Sequence, residues 1–445
     1  MKLQKLLALL LCLLLLPVAA PAEEEVTLQV YDWISEETLD AFAQAHPGIR
    51  VSLVDSLPGS LQDALVSGAD IDVYAVSADS SFEELLRKGY AAPLENDVLV
   101  ARAQRLQPAL RELVLREGQL MAYPADLSLD TWTLDVTGWE EAGFAEADAP
   151  RTIAQFLDAF QLWQDEKSDD FAHRCFFEGT LEDFIRVLAN QYIAQAEQAD
   201  QPVSFDTPAF RDALALLDQV RPLFAANAEK MDALMNGEFT AMPLIYAYGM
   251  GYGYTMLDDH LARPLAIPVL TDTDTPPVKG QTRLWVCSAR SAHPQEAAQL
   301  IDFLAQSALT DTQYALYQDM TKPLENPRFA DLLAQRTAEK AQLTAQLQSC
   351  KAEEKQALED RLAWVESWLG RQDEIRWIIT EKDIALYQSL VRGLFVPTQS
   401  RYLADGSNSA AAIDGLITRF ADGETQAEGF IDGLNQICRL AYLEQ

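Results

Sequence analysis

The chain offers little that could make or break a bond. Its nearest approach to a nucleophile beside a base is His173 and Cys175, which at i and i+2 would share one face of a strand and begin a thiol–imidazole pair. Phe176 and Phe177 follow at once, which argues for burial, and nothing marks a third group to orient the imidazole. His46, His260 and His293 sit at helix ends or beside prolines, without the H-E-x-x-H spacing of a metal site. Cys287, Cys350 and Cys438 are scattered with no C-x-x-C pair, so neither a zinc knuckle nor a redox motif is present, and disulfides and buried thiols both remain open. Gly249, Gly251 and Gly253 lack the strand-to-helix setting of a phosphate loop, and there is no G-x-S-x-G. The expectation is a protein without metal or cofactor that binds rather than reacts.

Binding chemistry is better represented. Tyr246 to Tyr254 holds four tyrosines and three glycines, flat faces and hydroxyl donors on an open backbone. The run would serve either as an aromatic loop packed on its own lobe or as a stacking wall for a ligand. Trp33 follows the first apolar run, and Asp79 with Ser80 follows the third; each alone is also compatible with a core or capping role.

The elements that would position these groups can be read in order. Val26–Tyr31, Ile49–Val54 and Ile71–Val76 are apolar runs separated by helical patterns capped at Ser35 and Ser60, which predicts a parallel sheet with right-handed crossovers. Such sheets bind ligands at the carboxyl ends of their strands, which puts Trp33 and Asp79 or Ser80 on one rim. Ser81 to Glu84 reads as a capping box, as do Thr152 and Gln155. The alternation Leu127, Leu129, Thr131, Thr133 marks the chain leaving one lobe for another, with Ser128 and Trp132 at the crossing, and Leu265–Pro268 is expected to return it. From Pro327 to Gly370 there is neither Gly nor Pro between the two, and leucines at heptad-like spacing predict a long helix or an antiparallel helical pair.

Composition bounds the rest. The 445 residues include 49% hydrophobic side chains, enough for two or three domains with real cores. A net charge of -34 repels nucleic acid and anionic lipid. Lys2 and Lys5, the leucine run from Leu6 to Leu16 and Ala20-Pro21-Ala22 form an export signal cleaved after Ala22, too short to span a bilayer. Cys12 has leucines on both sides, so it is no lipid-attachment site and no lipid anchor is expected.

The succession A-H-P-G-I-R-V, D-I-D-V-Y, L-R-K-G-Y-A-A-P-L, Q-L-M-A-Y-P-A-D-L-S, W-E-E-A-G-F, T-I-A-Q-F-L-D-A-F, M-N-G-E-F-T-A-M and S-A-H-P-Q-E-A-A-Q-L-I-D-F-L resembles the extracellular solute-binding proteins of ABC importers, family 1, the sugar-binding type. The resemblance covers about Val26 to Pro327 and about Ile384 to the end. It implies an α/β, two-lobed type II periplasmic-binding fold that closes by hinge motion around one small solute. Lobe 1 would be 23–128 with 266–310, and lobe 2 would be 129–265 with 311–445, the latter carrying a helical insertion at 328–379. By phrase, Asp32, Trp33, Asp79, Ser80, Ser128, Tyr246 and Tyr248 carry over as ligand-binding positions; Trp132 is added from its place on the crossing. The implied partners are a sugar or oligosaccharide and ABC permease subunits, with the protein exported, periplasmic or at the cell surface, and monomeric. The V-Y-D-W opening also looks like polyamine-binding members of the broader fold, where Asp32, Asp79, Asp126 and Asp130 would meet ammonium groups. Two other readings are a cysteine enzyme on this fold and an interaction protein working through the helical segment.

Overall fold

The computed structural model describes residues 25–57, 59–169, 174–199, 201–236, 243–249, 255–257, 260–307, 312–349, 351–397, 402 and 408–443. The segment read as an export signal, His173, Tyr252, Tyr254, Gly251, Gly253 and Cys350 lie outside them.

The chain begins as expected. β1 (Val26–Tyr31), α1 (Glu36–Ala45), β2 (Ile49–Leu53), α2 (Leu61–Ser67), β3 (Val73–Ser77) and α3 (Ser80–Arg87) alternate, and β1 pairs in parallel with both β2 and β3. Ser35 accepts from the Thr38 N–H, and Ser60 with Asp63 closes a capping box. Gly68 at φ 85° ends α2 in the left-handed conformation that a side chain would strain. The start of α3 differs from expectation: Asp79, not Ser81, is the cap, accepting from the Ser81 N–H at 2.8 Å.

After β4 (Ala91–Ala92), α4 (Asp97–Ala103), α5 (Pro108–Val114) and the short pair β5 (Leu115–Arg116) and β6 (Gln119–Leu120), β7 (Tyr123–Pro124) joins the edge of this sheet. The chain then runs through β8 (Ser128–Leu129) into β9 (Trp132–Asp135), which belongs to another sheet. There follow α6 (Val136–Glu141), α7 (Ile153–Glu166), β10 (Phe177–Glu178), α8 (Leu181–Gln198), α9 (Pro208–Met235), β11 (Ile245–Tyr246), β12 (Thr255–Leu257) and β13 (His260–Leu265). The second sheet runs β10-β11-β9-β13-β12, with β10 and β11 parallel.

β14 (Val278–Gln281) and β15 (Arg283–Ser288) bring the chain back, β15 lying antiparallel to β3. The return comes later than Leu265–Pro268, because Leu265 still pairs with Trp132, Val269 bridges Thr152, and Leu265, Ile267 and Leu270 pack on the second core. α10 (Pro294–Ser307) and α11 (Thr312–Leu316) are followed by β16 (Leu324–Glu325), the helices α12 (Phe329–Leu347) and α13 (Ala352–Gly370), α14 (Gln372–Ile375), β17 (Trp377–Ile379), α15 (Glu381–Leu390) and β18 (Leu394–Phe395). The chain ends in α16 (Asn408–Ala421) and α17 (Ala427–Leu443).

Two separate cores follow from this path. The first gathers Leu28, Val30, Val73, Phe82, Leu110, Val286 and Leu300; the second is aromatic, with Trp132, Trp139, Phe156, Phe160, Phe176, Phe184, Phe210 and Phe430. Tyr314 to Tyr317 and Ile379, Ile384, Tyr387, Leu390 and Leu394 belong to the first core, although the sequence reading placed everything after 311 in the second lobe. An apolar stripe shows that a helix is buried; it does not show against which of two cores. For the same reason the α12–α13 hairpin projects from the first lobe: β16 and β17, which frame it, pack Leu324 and Ile379 on the first core. The two helices pack on each other and bury Leu343 and Val365, while Arg336 and Arg361 both lie over the Trp364 ring, at 4.8 and 4.2 Å.

The crossings converge on a third, small sheet, β18-β14-β8. Leu129 faces Gly280, and Val278 faces Leu394, so the segments on which the chain leaves, returns and leaves again are tied to one another. That is the geometry of a hinge.

Candidate functional site

The first-lobe rim is built on the carboxyl ends of β1 and β3. Trp33 stands there 81% exposed, the most exposed large hydrophobic side chain among the described residues. Asp32 beside it is only 6% exposed at its side chain and already carries three protein donors: the Trp33 N–H at 2.8 Å, Arg283 Nη1 at 3.0 Å and the Trp285 indole N–H at 2.8 Å. Arg283 in turn donates its Nε to Asp126 Oδ2 at 2.9 Å, and its backbone N–H to Asp126 Oδ1. Asp32 therefore positions its neighbours; it is not an idle carboxylate waiting for a solute. Asp79 and Ser80 are exposed on the same rim, Asp79 engaged as the cap of α3.

At the crossing, Ser128 is exposed on β8, and Asp130 donates its N–H to the Lys279 carbonyl. The Asp130 side chain touches water, yet surrounding protein raises its carboxyl above the usual range, with Lys279 pulling the other way.

Trp132, expected at the site, is not on its surface. It is 1% exposed, with ring centroids 4.8 Å from Phe177 and 5.4 Å from Phe156, and so offers no face to a solute. Side chains alternate along a strand, and the face that Trp132 shares with Leu134 is the core face. The opposite face carries the second-lobe rim.

That rim is Tyr248 with Glu178, a residue the sequence reading passed over; Tyr246, expected at the site, lies beneath them with its ring buried at 2% exposure. Glu178 and Tyr246 are partners in the parallel pair β10–β11, and Thr133 is the partner of Tyr246 on its other side. Tyr248 is 49% exposed, stands edge-on to Tyr246 at 5.8 Å, and accepts at its carbonyl from the Thr133 hydroxyl at 2.9 Å. Gly249 follows against the crossing: a Cβ there would lie 2.8 Å from Thr131 Oγ1 and 3.3 Å from the Thr131 carbonyl oxygen, so a side chain would crowd the turn. Glu178 Oε2 and the Tyr246 hydroxyl are both buried without a hydrogen-bond partner. Burial pushes the Glu178 carboxyl up to about 7, opposed by the Ala247 backbone N–H, and burial also raises the Tyr246 hydroxyl. In the sequence Glu178 was visible only as the first polar residue after Phe176 and Phe177.

Beneath this rim Asp135 and Arg174 form a buried ion pair at 2.8 Å, and Asp135 caps α6 through the Gly138 N–H. Cys175 is 2% exposed and its thiol is pushed up to about 12 by burial, which leaves almost no thiolate at neutral pH. Cys287 and Cys438 are buried free thiols of the same kind. Among the described residues no group of three or more His, Cys, Asp or Glu could hold a metal ion, and no helix is long and apolar enough to cross a membrane.

Solved structures share this architecture. RafE from Streptococcus pneumoniae in its apo form is similar at 14% identity over 94% of this chain and 98% of its own, with a TM-score of 0.56. The GacH receptor of Streptomyces glaucescens is similar at 12% over 94% and 98%, TM-score 0.53. An ABC substrate-binding protein from Listeria monocytogenes in complex with cycloalternan is similar at 12% over 94% and 98%, TM-score 0.52. At such identities the likeness carries the fold, the two-lobed type II periplasmic-binding architecture. No curated protein sequence matches the chain. Residues 26–309, well over half of it, match one sequence family, and on that match the chain belongs to the bacterial extracellular solute-binding proteins.

Proposed function

We propose that the protein is exported, captures a neutral carbohydrate between its lobes and delivers it to the permease of an ABC importer. The observation that carries this reading is Trp33. An indole left 81% exposed beside the carboxyl ends of parallel strands, its backbone N–H pinned by Asp32, has the form of a stacking platform for the apolar face of a sugar ring. Tyr248, half exposed, supplies a second aromatic face from the other lobe. Ser128, Asp79 and Ser80 are exposed polar groups to meet hydroxyls at the rim. Support also comes from what similar structures were solved with: raffinose for RafE, acarbose for GacH and cycloalternan for the Listeria protein.

A polyamine would need free carboxylates, and most of those available are committed. Asp32 and Asp126 hold Arg283, and Asp79 caps a helix. Catalysis by Cys175 has a buried, protonated thiol against it. A thermal-shift screen of raffinose, maltotriose and xylotriose against spermidine tests the reading. A bound sugar at 100 times its Kd should stabilise the protein by about 2.7 kcal/mol. Stabilisation by spermidine with no response to any sugar would sink it.

A further inference from the structure

Two polar atoms in the second lobe are left without a partner at one place. Glu178 Oε2 and the Tyr246 hydroxyl are both buried and unpaired, and the residues that bear them are adjacent across the parallel pair β10–β11. Unpaired buried polar atoms cost free energy, so two of them on paired residues at the carboxyl ends of neighbouring strands mark a place built to meet a polar ligand. One is an acceptor and the other a donor. Tyr248, edge-on to Tyr246, is half exposed.

We propose that Glu178, with Tyr246 beside it, is a specificity-determining residue of the solute site: its carboxylate accepts one solute hydroxyl, and that hydroxyl accepts in turn from the Tyr246 phenol. The inference rests on the sugar reading of the cleft. A solute hydroxyl has one acceptor and one donor to meet on these neighbouring residues, and the half-exposed Tyr248 stands beside them. The Ala247 backbone N–H donates to the Glu178 carboxylate, whose charge is felt by Tyr246, Tyr248 and Cys175; Asp135, paired with Arg174, acts on Tyr246 as well, and Lys230 and Arg174 act on Cys175. The Tyr246 and Tyr248 hydroxyls and the Cys175 thiol are all raised by burial and stay neutral from pH 5 to pH 8.

A proton linkage follows. Free Glu178 ionises at about 7, so a solute that needs the carboxylate binds fully above that pH and progressively less below it. Stability of the free protein runs the other way. Between the ordinary value of 4.5 and about 7 the folded chain holds a proton that the unfolded chain has lost, so the Glu178 contribution is full at low pH and disappears as pH rises through the folded value.

The test is isothermal titration of the full-length protein with raffinose, maltotriose and xylotriose at pH 5.5 and 8.5, beside urea unfolding without ligand. The wild type should bind its sugar about thirtyfold more weakly at pH 5.5 than at 8.5. Glu178→Gln, which keeps the shape and cannot ionise, should bind more weakly at pH 8.5 and lose the pH dependence. Tyr246→Phe should weaken binding but keep it. The stability difference between wild type and Glu178→Gln should shift against the wild type from pH 5 to pH 8. Equal affinity at both pH values, or a pH dependence that survives in Glu178→Gln, overturns the inference and leaves the sugar reading standing. Spermidine binding with no sugar bound at either pH overturns the sugar reading and the inference with it, as does no binding by any of these probes.

Discussion

The Trp285 indole N–H donates to Asp32 Oδ2 across 2.8 Å, and the other oxygen of that carboxylate holds Arg283 and the Trp33 backbone. Asp32→Asn turns one of these acceptors into a donor facing a donor. The expected cost is about 1–3 kcal/mol of unfolding free energy, with weaker sugar binding because Trp33 is no longer pinned. Urea unfolding and calorimetry measure the two effects, and a variant with wild-type stability would count against the positioning role.

Trp33 and Trp132 should separate binding from folding. Trp132 is fully enclosed by Phe156, Phe177 and Phe184, so Trp132→Ala should cost about 3–5 kcal/mol. Trp33→Ala removes an exposed side chain and should leave stability within about 0.5 kcal/mol while abolishing most of the sugar response. Melting curves and titrations on both variants check this; a large loss of stability in Trp33→Ala would mean that its exposure in the free protein is misleading.

These two residues also show what was legible in the sequence. The alternation of strands and helices, the caps at Ser35, Ser60 and Thr152 and the crossing near Leu129 are local signals, and they appear in the structure as expected. Trp132 failed because its position on the crossing was clear while the direction of its side chain was not: one residue of register decides between core and cleft. Glu178 was missed because its neighbours Tyr246 and Tyr248 are almost 70 residues away, and only the pairing of β10 with β11 brings them together. The packing of Tyr314–Tyr317 and Ile384–Leu394 on the first core is likewise a tertiary choice that no local pattern encodes.

The α12–α13 hairpin should be dispensable for binding. Its ends are already close, since Glu325 pairs with Trp377, and its internal contacts, Glu339 with Arg336 and Arg361 and Lys340 with Glu366, close on themselves. Replacing 327–375 by an Asn-Gly turn should therefore leave sugar affinity within about twofold, as expected for sites that share no partners. A tenfold loss would place the hairpin in the closure mechanism and revive an interaction role for it.

The hinge makes a prediction about two glycines that look alike in the sequence. A Cβ on Gly280 would approach Leu394 Cδ1 at 2.7 Å, the tip of a side chain that can rotate away. A Cβ on Gly393 would lie 1.9 Å from the carbonyl oxygen of Pro276, and backbone cannot yield in that way. Pro276 leads into β14 and Gly393 into β18, so Gly393→Ala must push apart the pair Val278 and Leu394 that ties the return crossing to the last one. Gly393→Ala should cost about 1–3 kcal/mol or more and should blunt the decrease in radius of gyration that a saturating sugar produces in solution scattering. Gly280→Ala should close normally with only a small loss of stability. If both variants compact on sugar binding like the wild type, the small sheet does not govern closure, and the hinge lies in the strands that flank it.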